Sequence, residues 1–77
     1  MLNYNEFMDK RHIILDKFDY TYIMNKGKDD LWEIHSISKD TMVATQKPEL
    51  VNREEAYEFY RERMESHGFR PFPVIEE

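Results

Sequence analysis

Apolar and polar positions change rhythm along this chain, and each rhythm implies an element. Over residues 52–68, Ala56, Phe59, Tyr60, Arg63, Met64 and His67 fall on one side at 3.6 residues per turn, with Tyr57 at its margin. The other side gathers Glu54, Glu58, Glu62 and Glu65 at spacings of three and four, with Arg61 among them. Asn52 followed by Glu55 is a capping-box start signal, and Gly68 stands where a helix wants a left-handed stop. A helix with an apolar stripe and a carboxylate ridge is the expectation.

Asn3 and Glu6 repeat the start signal, and Tyr4, Phe7, Met8, Ile14, Leu15 and Phe18 follow at helical spacing. This predicts a first helix over about 4–17. A strand over 12–15 competes with it, because Ile13 and Ile14 are β-branched and consecutive.

From Asp19 the period becomes two. Tyr20, Tyr22 and Met24 alternate with Thr21 and Ile23, which predicts a strand ending in a polar hairpin loop at 25–30. A second strand follows over 31–37, with Trp32 and Ile34 opposite Glu33 and His35, then a turn at 38–40 and a third strand over 41–47. Pro48 ends that strand by withholding a donor. After Gly68, residues 69–75 form an extended tail whose Pro71 and Pro73 exclude a central strand. The tail is expected beside a sheet edge or over the core, held by Phe69 and Phe72.

The expected class is α+β: a three-stranded antiparallel meander flanked by an N-terminal and a C-terminal helix, in the order α-β-β-β-α. Both helices are placed on the face formed by Tyr20, Tyr22, Trp32, Ile34 and Met42. The opposite face holds Thr21, Ile23, His35, Val43 and Thr45, with Leu31 and Ile37 at its ends. It is semi-polar, suited to solvent or to self-association.

Length permits one domain over 1–77 with a thin core, which dimerisation would support. Sixteen acidic and eleven basic residues leave a net charge of −5, against broad attachment to nucleic acid or anionic lipid. There is no cysteine, so disulfides, thiolate metal sites and a cysteine nucleophile are excluded. No apolar run approaches a membrane span and the amino terminus lacks the plan of a signal peptide, so the expected compartment is the cytoplasm.

Candidate chemistry is sparse. His12, His35 and His67 lie on different predicted elements without ligand spacing, so no metal is assigned to them. A single row of carboxylates also suits a hard cation poorly, since Ca²⁺ and Mg²⁺ want converging oxygens. Ser36, Ser38 and Ser66 lack a nucleophile-elbow context, and two glycines cannot build a phosphate-cradling loop. No catalytic residue and no cofactor is therefore assigned. The leading expectation is a small non-enzymatic protein-interaction domain, a regulator or inhibitor, binding a basic partner through Glu54, Glu58, Glu62 and Glu65. The alternative is nucleic-acid binding through Lys26 and Lys28 of the first hairpin loop with Trp32, Arg53 and Arg70.

Overall fold

In a computed structural model, residues 1–44 and 47–72 are described. Among them the chain forms an α+β structure of two helices and six strands: α1 Tyr4–Met8, β1 His12–Lys17, β2 Tyr20–Lys26, β3 Trp32–Ser38, β4 Val43–Ala44, β5 Glu49–Val51, α2 Arg53–Glu65 and β6 Arg70–Pro71. All pairings are antiparallel, and the strand order is β4-β3-β2-β1-β6, with β5 also pairing with β3.

The start of α1 follows its sequence signal, but its length does not. Asn3 accepts from the Glu6 amide at 2.8 Å and Glu6 accepts from the Asn3 amide at 3.0 Å, forming the capping box. The helix then stops at Met8, and the segment expected to continue it is β1. Pairing explains this correction: six residues of β1 register with β2, Ile13 opposite Met24 and Leu15 opposite Tyr22. Alternation buries Ile13 and Leu15 on one face and sends Ile14 to the other, so tertiary pairing overrides the helical spacing. The connecting turn, Phe18 and Asp19, carries no positive φ and neither glycine nor asparagine, and Phe18 is 93% exposed instead of lining a helix.

Of the expected third strand over 41–47, Val43–Ala44 are strand and 41, 42 and 47 are not, while 45 and 46 lie outside the described residues. Met42 adopts φ 58° in the turn closed by its amide on the Ser38 carbonyl, and is 78% exposed, not part of the core. Val43 consequently stands opposite Ser38 on the helix-covered side, whereas Ala44 joins Ile37 on the other face. Thr45 lies outside the described residues. Past Pro48 the chain pairs again: β5 sets Glu49 against Ile34 and Val51 against Trp32, so β4 and β5 occupy successive parts of one β3 edge.

The second helix agrees with its signals. Asn52 and Glu55 form a reciprocal cap, and Gly68 at φ 78° lets the Phe69 amide return to the Arg63 carbonyl at 3.0 Å. Phe69 is buried, and Arg70 and Pro71 pair beside Asp16 and Leu15, so this part of the tail runs along the sheet edge. Val74 and Ile75 lie outside the described residues.

The core lies between the helices and one sheet face: Phe7, Ile13, Leu15, Met24, Trp32, Ile34, Ala56, Tyr60 and Phe69. Phe7 is fully buried, stacks on Trp32 at 4.8 Å between centroids, and meets Tyr60 at 5.2 Å. The Leu2 amide donates to the Tyr60 hydroxyl at 2.8 Å, and the Tyr57 hydroxyl donates to the Leu2 carbonyl at 3.1 Å. Lys26 Nζ donates to the Met8 carbonyl at 2.6 Å, placing a cation on the last turn of α1.

A five-residue helix is too short to persist alone, so α1 depends on these contacts. Phe7→Ala is expected to lower the unfolding free energy by about 3–5 kcal/mol in urea titration, a large part of the roughly 4–12 kcal/mol expected for this length. A loss below about 1 kcal/mol would show that Phe7 does not hold α1 down.

Candidate functional site

Between α2 and the β3–β5 edge lies a groove of about 290 Å³, lined by Ile34, Val51 and Phe59 and by Glu49, Glu55, Glu58 and Glu62. Its construction follows from two registers. The helical spacing of α2 turns Glu55, Glu58, Phe59 and Glu62 toward the sheet edge, and the opposition of Glu49 to Ile34 brings a fourth carboxylate from β5. The lining residues include no Lys, Arg or His. An apolar floor under anionic walls accommodates the methylene stem of a lysine or arginine while presenting oxygens to its charged head.

Of the four carboxylates expected to bind a partner, Glu58 and Glu62 line this groove, whereas Glu54 and Glu65 lie toward the two ends of α2, outside the lining. Arginines of α2 partly neutralise the row. Arg61 lies 3.8 Å from Glu58 and 3.5 Å from Glu65, Arg63 3.0 Å from Glu62, and Arg53 3.5 Å from Glu54. Such exposed pairs contribute about 0.2–1 kcal/mol each and exchange readily with a competing cation. Arg63 is held differently, its guanidinium 4.0 Å from the Phe59 ring centroid and 5.2 Å from that of Tyr22.

Glu49 and Glu55 were not among the expected residues. Glu49 shares a face of β5 with Val51, but Glu49-Leu50-Val51 shows no polar–apolar alternation that would signal it, while Glu55 is visible in the sequence only as a cap, where its Oε1 accepts from the Asn52 amide at 3.1 Å.

The alternative set does not assemble on one surface. Trp32 is fully buried beneath Phe7 and offers no ring for a base to stack on. Lys26 is occupied at the end of α1 and lies 6.0 Å from the Trp32 ring centroid. Arg53 faces Asp30 at 3.6 Å and Glu54, near the exposed Lys28 in the single 3-10 turn Lys28–Asp30. Arg70 is on β6, at the far edge of the sheet.

The three histidines likewise stand apart. His12 pairs with Asn25, His35 lies 3.5 Å from Glu33, and His67 is exposed after α2. Among the described residues no group of three or more His, Asp or Glu converges as a metal site would require. No described helix is long and apolar enough to cross a membrane.

The sheet face away from the helices presents Ile14, Ile23 and Ile37, all half-buried, with Thr21 and His35. At one end Lys39 Nζ meets Asp16 at 2.6 Å and the Thr21 hydroxyl donates to Asp16 at 2.8 Å. The Lys39 hydrogen bond, followed by that of Thr21, holds the Asp16 carboxyl below the usual carboxylate range.

The chain matches no protein-family model, no curated protein and no solved structure.

Because folding lowers the Asp16 pKa, its stabilisation is present above the unfolded carboxyl value of about 3.9 and is lost as pH falls through the folded value. Asp16→Asn is expected to melt below the wild type at pH 7, with the gap closing as the pH drops below about 4. A gap that persists unchanged into acid would show that ionised Asp16 is not its source.

Proposed function

We propose that this chain is a small non-enzymatic protein-interaction domain, acting as a regulator or inhibitor, whose acidic α2 face engages a basic partner. The observation that supports this reading is the groove in which Glu49, Glu55, Glu58 and Glu62 surround Ile34, Val51 and Phe59. The row of Glu54, Glu58, Glu62 and Glu65 extends this anionic surface along the helix in both directions.

The apolar floor favours a basic side chain over a free cation. A hydrated metal ion gains nothing from an apolar floor, whereas an arginine or lysine buries its stem on Phe59 and Val51 as its head displaces Arg61 or Arg63 from their glutamates. Charge attraction brings the partner in, and the seated stem slows its departure.

The test uses a fluorescently labelled peptide rich in Lys and Arg, titrated with the full chain and followed by anisotropy. Wild-type affinity is expected to fall with added salt, and Glu58→Lys with Glu62→Lys is expected to weaken binding about tenfold or more at low ionic strength. The same double variant is expected to change the unfolding free energy by less than about 1 kcal/mol, since both glutamates it replaces are exposed. Unchanged peptide affinity would remove the groove from the function.

A further inference from the structure

We infer that the sheet face opposite the helices is a self-complementary surface that takes a second copy of this chain, about a two-fold axis running along β2. In the order β4-β3-β2-β1-β6, β2 is the middle strand. On the open face Ile23 sits near its midpoint, with Ile14 beside it on β1 and His35 beside it on β3. Facing antiparallel sheets pack with strand directions within about 30° of each other, so an axis along β2 is compatible with the ordinary packing of two such layers.

That axis lays β1 of one copy over β3 of the other. Ile23 then meets the second copy's Ile23, and Ile14 meets the second copy's His35. His12, in register with Asn25 and Glu33 across the sheet, comes opposite the second copy's Glu33, and the pair is made twice by symmetry. An isologous interface needs this property: His12 on β1 of one copy falls on Glu33 on β3 of the other.

Charge selects this face over the rest of the molecule. Among the described residues it carries Asp16 and Glu33 against Lys39 and Arg70, a balance of zero, whereas the whole chain carries −5 and α2 alone has five glutamates against three arginines. Two copies approaching by their helices repel, and two approaching by their open faces do not.

The dimensions set the strength. Five strands about 4.8 Å apart and residues rising about 3.3 Å make a face roughly 20 Å square. Two such faces present roughly 800 Å² in total, below the range for stable specific interfaces and within that of weak, transient ones. The expected dimer is therefore weak, with Kd on the order of 10–100 µM.

Sedimentation equilibrium of the full chain from about 1 µM to 1 mM tests this inference. The mean mass is expected to rise toward twice that of the chain. Ile23→Glu is expected to raise Kd more than about tenfold with an unchanged circular dichroism spectrum. His12→Glu alone, on an exposed position, is expected to weaken the dimer by like-charge repulsion, and His12→Glu with Glu33→Lys to restore it to within about threefold of wild type. Glu58→Lys with Glu62→Lys is expected to leave Kd unaltered, which separates this surface from the groove of α2. A monomer at 1 mM, a dimer indifferent to Ile23→Glu, or a double charge variant no tighter than His12→Glu would each overturn the inference.

Discussion

One aromatic contact governs the arrangement of everything else. Phe7 lies flat on Trp32, with Tyr60 and Tyr57 against its other sides, and the two tyrosine hydroxyls grip the Leu2 peptide from above. Through this cluster the amino-terminal turn, the middle of the sheet and α2 share one buried site. The indole is fully buried and its Nε1 has no hydrogen-bond partner in the protein, so Trp32 serves here as apolar area alone. Burying an indole without satisfying its donor costs part of what the stacking contributes, and the surrounding rings supply the compensating contact.

Fixing both helices on the same side of the sheet determines what the surface presents. The apolar stripe of α2 is occupied by Ala56 and Tyr60, and Phe59 leans on Tyr22, so its glutamates face solvent and the edge groove. The far side of the sheet keeps isoleucines in its middle and opposite charges at its margins, because no described helix is left to cover it. One surface thus gathers carboxylates about an apolar floor, and the other carries as many described acidic as basic side chains around its isoleucines. The two lie on opposite faces of a thin layer, so occupation of one leaves the other accessible.

Local signals in the sequence are strong where backbone chemistry is local. Both Asn-x-x-Glu caps form as their spacing implies, Gly68 takes the left-handed stop, and the alternation of Tyr20 to Met24 and of Trp32 to Ile34 places their faces correctly. What the sequence conceals is set by partners distant along the chain. Residues 12–17 fit a helical spacing as well as a strand and become β1 because β2 lies one short turn away, a turn formed by Phe18 and Asp19 without the glycine or asparagine that would advertise it. Met42 leaves the core because a single positive φ reverses the order of faces, which composition does not reveal. The groove was half legible for the same reason: Glu58 and Glu62 follow from helical periodicity, whereas Glu49 joins them through pairing with Ile34, fifteen positions earlier. Burial of Trp32, which alternation alone could not distinguish from an exposed ring, leaves none of its face for a base to stack on.

Trp32 is the single tryptophan of the chain, so its fluorescence reports on this cluster without interference. The folded protein is expected to emit at short wavelength, to resist quenching by iodide, and to lose both properties in one transition that coincides with the loss of far-ultraviolet circular dichroism. A water-like emission maximum quenched freely by iodide while the secondary structure is intact would contradict the account, because the helices would then be held to the sheet by something other than the Phe7–Trp32 stack.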